Sequence, residues 1–306
     1  MRISLRNIAR TLVPAAVLLT APACAQAPVA VESAPVAARS GPALWKVADE
    51  DTTIYLFGTV HVLPEGGEWF DERIAGALAA SQSIVTELPP SVLSDPASQQ
   101  IIMGFAMLPP EQSLRTLLTD EQRATYEAAL TKLKIPPQAF DRFEPWFAAM
   151  TLSMLPLLQN GYKVDSGVEK VLESKAGANI ERGAVETLES QMKLFDELPA
   201  DVQAAYLASV AEKVDQVVPS LNDMVAAWSA GDADRLAALM NESLKDDPAL
   251  ADRLLYARNR TWAQWIADRL DQPGTVFMAV GAGHLAGSES VQAALAKRGI
   301  QSLRVQ

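Results

Sequence analysis

The chain contains two histidines, His61 and His284, and both occupy the same local pattern. Each closes a stretch in which an apolar run is followed by Gly-x-x-His: TIYLFGTVH near the start and VFMAVGAGH near the end. The glycines of these patterns, Gly58 and Gly281, permit a turn or a close approach of the backbone that a side chain would block. Imidazole is the commonest metal ligand in proteins, so a matched pair of histidines predicts a functional site.

A carboxylate follows a third apolar run. Glu87 comes directly after the β-favouring stretch Ser83–Thr86 and before two prolines, which forbid continuation of the strand. Ligands of open α/β sheets collect beyond the carboxyl ends of strands, so we expect His61, Glu87 and His284 at one sheet edge. Two imidazoles and a carboxylate form a metal set with open positions for water and substrate, which predicts metal-assisted hydrolysis. Mn, Co and Zn are all compatible with these ligands.

Each of these residues also has a structural interpretation. A single histidine after a strand is more often a hydrogen-bonded structural residue, but two histidines in one pattern, with none elsewhere, favour function. Glu87 is equally consistent with an exposed strand end. Other catalytic classes are disfavoured, because the sequence contains no Gly-x-Ser-x-Gly elbow and no phosphate-binding loop.

The last long helix, predicted from about Pro248 to Leu270, places an arginine on its apolar face. At ~100° per residue, Arg258 falls in the middle of an apolar stripe. A buried guanidinium is costly unless an anion pairs with it. Arg258 is therefore expected to orient Glu87, to stabilise a developing oxyanion, or to form a purely structural buried pair. The stripe consists of Ala251, Leu254, Leu255, Trp262, Trp265 and Ile266.

The elements that must position these side chains form two similar β-loop-α-β units at the chain ends. Their repetition predicts an α/β (α+β) fold in which both halves share one central sheet. Residues 91–247 between them have the pattern of a mostly helical insertion, which leaves 43–90 and 248–306 as the core. The predicted units are Ile54–Phe57, Asp71–Ala80 and Ser83–Thr86, followed later by Thr275–Val280, Glu289–Lys297 and Ile300–Val305.

The N-terminus is typical of a secretory signal peptide over residues 1–25, with three arginines, a short apolar stretch and a cleavage site after Ala25. Cleavage there predicts a periplasmic or secreted protein, and the alternative is a lipoprotein anchored at Cys24. Residues 26–42 predict a disordered linker, so the folded domain is expected over 43–306.

No later stretch has the ~20 apolar residues of a transmembrane helix. The formal net charge of −11 disfavours nucleic acid and anionic membranes as partners.

Six ordered blocks of the sequence resemble the TraB/GumN family, from about residue 43 to 305. Relatives of that family include the Tiki proteases, metal-dependent peptidases with paired Gly-x-x-His motifs. The resemblance also implies a fold similar to that of erythromycin esterase and of ChaN-like proteins, the latter linked to haem uptake. The blocks are ALWKVADEDTTIYLFGTVHVLP, IVTELPP, VDSGVEKVLESKAG, VETLESQMKLFDELP, ARNRTWAQWI and VFMAVGAGHLAG.

This resemblance implies roles for individual residues. His61 and His284 would bind the metal, Glu87 would be the third ligand or the general base, and Arg258 would act in catalysis. The implied activity is that of a metal-dependent hydrolase, a peptidase acting on a peptide or protein substrate. The alternatives are a non-catalytic protein that binds haem or another envelope ligand, and an accessory protein that has lost activity. The supporting positions implied are Gly58, Gly281, Asn259, Glu186 and Gln191.

Overall fold

The computed structural model of the protein describes residues 41–92, 95–244 and 248–306, with the backbone alone for 241–244. The predicted signal peptide, the alternative lipoprotein site at Cys24 and residues 26–40 of the predicted linker lie outside the described residues. Within the described ranges, no helix combines the length and the apolar character that crossing a membrane requires.

The core is a mixed sheet of six strands in the order β6-β4-β7-β2-β1-β8. The strands β6, β4, β7 and β2 are parallel to one another, β1 is antiparallel to β2, and β8 is antiparallel to β1. The strands β3 and β5 form a separate antiparallel pair. The bounds are β1 Leu44–Ala48, β2 Thr52–Thr59, β3 Leu63–Pro64, β4 Ser83–Thr86, β5 Tyr162–Lys163, β6 Glu181–Ala184, β7 Gly274–Gly281 and β8 Leu303–Arg304.

Helices fill most of the remaining described chain. The two predicted units appear as β2-α1-β4 and β7-α13-β8, and all four of their strands lie in the same sheet, so the predicted fold class is confirmed. The region predicted as a helical insertion is mostly helical but also contributes the edge strand β6. The bounds are α1 Glu72–Ala79, α2 Pro96–Ala106, α3 Leu114–Leu117, α4 Asp120–Lys132, α5 Pro145–Gln159, α6 Val168–Lys175, α7 Leu188–Asp196, α8 Ala200–Glu212, α9 Val217–Ser229, α10 Ala233–Leu244, α11 Pro248–Ala251, α12 Ala257–Leu270 and α13 Val291–Ala296.

The central strand β7 explains why its sequence is continuously apolar. Phe277 and Ala279 pack into the core on one face of the sheet, together with residues of α1 and α9. Val276 and Met278 pack into the core on the other face, against residues of α12 and α13. A strand buried on both faces needs apolar side chains at every position rather than at alternate ones.

The predicted helix from Pro248 to Leu270 forms with one irregularity. A π-helical turn, Asp252–Tyr256, separates α11 from α12. Trp262 and Ile266 lie on the buried face of α12, as the apolar stripe predicts. Arg258 follows the π-turn by two residues, and such turns occur frequently at functional sites.

Candidate functional site

Four neighbouring parallel strands place the candidate side chains along one edge of the sheet. Glu186 follows β6, Glu87 follows β4, His284 follows β7 and His61 follows β2. The strand order β6-β4-β7-β2 therefore puts these four residues in a row. Because parallel strands present their carboxyl ends at the same edge, residues from both ends of the chain become neighbours.

Arg258 is the centre of this row, and all five of its N–H groups are engaged. Its Nε and Nη2 donate to the two oxygens of Glu186 over 2.7 and 2.8 Å, and Nη2 also donates to Glu87 Oε2 over 2.6 Å. Its Nη1 lies 3.0 Å from the carbonyl oxygen of Leu254 and 3.0 Å from His284 Nε2. A guanidinium held in this way orients the two carboxylates, and donation to a substrate would require it to leave one of these partners.

Glu87 is largely covered rather than an exposed strand end, with 13 % of its side chain accessible. Its Oε1 accepts the Gly281 N–H over 2.7 Å, and its Oε2 accepts from Arg258 and, over 3.0 Å, from Gln191. Burial is the largest single influence and would raise the pKa of Glu87, but the charge of Arg258, the two histidines and the Gly281 N–H together lower it to about 2. A Cβ at Gly281 would lie 3.1 Å from Glu87 Oε1, which explains the glycine of the second motif.

Glu186 and Gln191, which the resemblance named as supporting positions, lie in contact with Glu87 and Arg258. Gln191 Nε2 bridges the two carboxylates, 2.8 Å from Glu186 Oε2 and 3.0 Å from Glu87 Oε2. Trp262, which the sequence marked only as a core residue, donates its indole N–H to Glu186 Oε1 over 3.1 Å. Its ring packs 4.3 Å from the His284 ring and 4.8 Å from the Arg258 guanidinium carbon, so it forms an aromatic support beneath both groups.

His284 is buried and its ring is fixed by an amide. Asn259 donates its Nδ2–H to the Glu289 carbonyl over 2.7 Å, which turns its Oδ1 toward His284 Nδ1 at 2.6 Å. This arrangement assigns the proton to Nδ1 and leaves Nε2 as the acceptor that faces Arg258. Burial lowers the pKa of His284 to about 3, so the imidazole is neutral at physiological pH.

His61 has the opposite environment, because 69 % of its side chain is exposed. Its Nδ1 lies 2.6 Å from Glu169 Oε1, and this hydrogen bond raises the pKa of His61 to about 9. The charge of Glu87 also raises the pKa of His61, whereas the charge of Arg258 lowers it. Glu169 was not selected from the sequence, because nothing in its local spacing distinguishes it among 37 acidic residues.

The first motif glycine allows the two histidine loops to pack against each other. A Cβ at Gly58 would lie 2.9 Å from Ala282 Cα and 3.0 Å from Ala282 Cβ, in the loop that carries His284. The Gly58 carbonyl accepts the indole N–H of Trp228 over 2.8 Å. Close contacts, rather than unusual backbone angles, therefore favour glycine at both motif positions.

Comparison with known proteins identifies the group to which these motifs belong. Residues 43–303 match the model of the TraB/PrgY/gumN family. The chain belongs to this family. The motif residues of the site, from Gly58 to His284, all lie inside the matched range.

Several uncharacterized proteins are similar to this TraB/PrgY/gumN chain. One from Treponema pallidum (strain Nichols) is 24% identical, with 83% of this chain and 80% of the relative covered. The uncharacterized protein YbaP of Escherichia coli (strain K12) is 22% identical, with 76% of this chain and 84% of YbaP covered. No solved structure matches. The comparisons establish the family, and the relatives' names assign no activity.

The donor types of this TraB/PrgY/gumN site fit a divalent ion. Metal-binding histidines usually donate one ring N–H to an acceptor and bind through the other nitrogen. His61 and His284 each have Nδ1 at 2.6 Å from an acceptor, so an ion would bind through Nε2, which on His61 would first have to lose a proton. In the structure Arg258 contacts both Glu87 and His284, and Glu87 Oε1 lies 4.0 Å from His284 Nε2. Across the described residues, no three His, Cys, Asp or Glu side chains stand together in a ligating arrangement.

Proposed function

We propose that the protein is a metal-dependent hydrolase that cleaves peptide bonds in the periplasm or outside the cell. The observation that supports this proposal best is that both histidine rings are held through Nδ1 at the same distance from an acceptor. Each ring is tied through Nδ1, to Glu169 or to Asn259, and each would bind an ion through Nε2 near the ionised Glu87, with His61 releasing its Nε2 proton. The predicted signal peptide supports the location.

The ligands would be His61, His284 and Glu87, with Mn, Co or Zn as the ion. When bound, such an ion supplies a Lewis acid that polarises a carbonyl and activates water. A carboxylate with a pKa of about 2 is a poor general base near neutral pH, so Glu87 fits the ligand role better. Arg258 and the Gly281 N–H hold its two oxygens in a fixed orientation.

Arg258 has a second role in this proposal. Its Nη1 donates a hydrogen bond to His284 Nε2, and this bond must break before that nitrogen can bind an ion. The released donor would then be available to the negative charge that develops on a substrate carbonyl. Glu186 retains the guanidinium through Nε and Nη2 during this movement.

Metal analysis of the mature protein, purified without chelator, tests the ligand assignment. We expect about one ion per chain by inductively coupled plasma mass spectrometry after incubation with Mn²⁺, Co²⁺ or Zn²⁺, consistent with a single site of this ligand set. The double variant His61→Ala, His284→Ala should retain none, while its circular dichroism spectrum remains that of a folded protein. Stoichiometric metal in that variant would rule out the two histidines as ligands.

Cleavage of a peptide library tests the reaction. The metal-loaded protein should cleave peptides, and both the double histidine variant and Glu87→Gln should lose the activity. Titration with haem tests the alternative function, a non-catalytic protein that binds haem. A stoichiometric Soret band with no peptide cleavage would support the non-catalytic binding function instead.

A further inference from the structure

We infer that Glu169, in the first turn of α6, is a positioning residue that fixes the His61 ring through Nδ1. The residue lies in the helical region between the two halves of the core, far from both Gly-x-x-His motifs in sequence. The inference deepens the proposed function, and only its consequence for metal affinity rests on that function.

The Glu169 carboxylate joins the strand and the loop of the first motif. Its Oε1 accepts the His61 Nδ1–H over 2.6 Å and the hydroxyl proton of Thr59 over 2.6 Å. Thr59 is the buried last residue of β2, so the hydroxyl approaches the carboxylate from a fixed position. Because the Thr59 hydroxyl fixes the Glu169 carboxylate against β2, that carboxylate can hold the exposed His61 ring in one orientation.

The backbone at the start of α6 is fixed to the same loop. Val168 N–H donates to the Val60 carbonyl over 3.0 Å. A Cβ at Gly167 would lie 2.2 Å from the His61 carbonyl oxygen, so only glycine permits this approach. These contacts set the distance between Glu169 and His61 without help from the carboxylate. The carboxylate is therefore not needed to hold the helix in place, and its specific contribution is to orient the imidazole.

The second histidine provides an independent parallel. Asn259 holds His284 Nδ1 at 2.6 Å, as Glu169 holds His61 Nδ1 at the same distance. The two motifs thus use different side chains, one an amide and one a carboxylate, to hold the same ring nitrogen. Acceptors of this kind orient a ligating histidine and raise its basicity.

The presence of only two histidines makes a direct test possible. In protein labelled with ¹⁵N in the histidine rings, we expect two Nδ1–H signals that are protected from exchange with water, one from each ring. Glu169→Ala should abolish the His61 signal and leave that of His284, whereas Glu169→Gln should retain both because its amide oxygen still accepts. Glu173→Ala, which removes the carboxylate one turn later that pairs with Arg182, is the matched control and should change neither.

Several spectra would overturn the inference. These are a wild-type spectrum without a protected His61 Nδ1–H, an unchanged His61 signal in Glu169→Ala, and equal loss of that signal in Glu173→Ala. If Glu169→Ala fails to fold, Glu169→Gln decides, because loss of the His61 signal in that folded variant contradicts the expected rescue.

A titration with Co²⁺, followed by visible absorption, tests the consequence for the site. Loss of Glu169 in Glu169→Ala should weaken Co²⁺ affinity by roughly 10–100-fold, with a smaller loss in Glu169→Gln and none in Glu173→Ala. Unchanged affinity in Glu169→Ala would contradict the positioning role. If the wild-type protein binds none of Mn²⁺, Co²⁺ and Zn²⁺, the proposed function fails, while the histidine spectra still decide the assignment of Glu169.

Discussion

At the scale of single residues, identical sequence patterns give two histidines opposite electrostatic states. His284 is buried beside Arg258, so its pKa falls to about 3 and its ring is neutral. His61 is exposed and paired with Glu169, so its pKa rises to about 9. The difference arises from burial and from the charge of the neighbouring group, which the Gly-x-x-His spacing does not specify.

The raised pKa of His61 predicts a pH dependence of stability. The ion pair with Glu169 stabilises the folded state fully below the unfolded-state pKa of 6.5, and this contribution is lost as the pH rises toward about 9. The difference in free energy of unfolding between wild type and His61→Gln should therefore shrink from pH 6 to pH 10. Denaturation at low and high salt measures it, and salt should reduce the difference because the histidine is largely exposed. A pH-independent difference would contradict the pairing.

The Arg258 cluster predicts a large loss of stability on substitution. Arg258→Met leaves Glu87 and Glu186 as buried carboxylates without their cation, which should cost about 3–5 kcal/mol of unfolding free energy. Arg260→Met on the same helix breaks only an exposed pair with Asp252 and should cost less than about 1 kcal/mol. Urea unfolding of both variants measures the costs, and equal costs would show that the buried cluster does not contribute to stability.

At the scale of elements, close backbone contacts bring the loops of the site together. Gly58 lets the first histidine loop pack on Ala282 of the second, and Gly281 leaves room for the Glu87 carboxylate. Gly167 allows the start of α6 to approach the His61 carbonyl closely. The glycines therefore set the distances between strand ends that the polar side chains then bridge.

Gly167→Ala should destabilise the protein, because the new Cβ would lie 2.2 Å from one backbone oxygen and force α6 away from His61. We expect a loss of at least about 1–3 kcal/mol in unfolding free energy, the usual range for overpacking. Gly177→Ala, just after α6, meets no atom within 4 Å and should stay within about 0.5 kcal/mol of wild type. Urea denaturation compares the two, and similar stabilities would contradict the tight contact.

At the scale of the whole molecule, the region between the two core halves is part of the site. It supplies Glu186 and Gln191 to the Arg258 cluster and Glu169 to His61. It also supplies Trp228, which bonds to the Gly58 carbonyl, and the sheet strand β6. The two β-loop-α-β units therefore cannot form the described site without it.

Replacing residues 91–247 by a short linker should abolish cooperative folding. The variant would leave β4 without its neighbour β6 and would deprive the largely buried Arg258 of Glu186, one of its two carboxylate partners. Thermal unfolding followed by circular dichroism should show no sharp transition, in contrast to the full chain. A sharp transition in the shortened protein would mean that the two units form an independent domain.

The sequence by itself determined the central strands, the fold class and the residues His61, Glu87 and His284 that follow those strands. Apolar runs and the 3.6-residue period are local properties, so β2, β4, β7 and the buried face of α12 could be predicted from them. The cost of burying a charge predicted that Arg258 needs an anion. The family resemblance, rather than any spacing, added Asn259, Glu186 and Gln191.

Only the tertiary structure decided which groups meet. Glu169 and Trp262 gained their roles through contacts between distant parts of the chain, and the insertion became part of the site for the same reason. The protonation states of His61 and His284 likewise depend on burial and on neighbouring charges. Those quantities follow from three-dimensional distances between residues remote in sequence, and no local pattern encodes them.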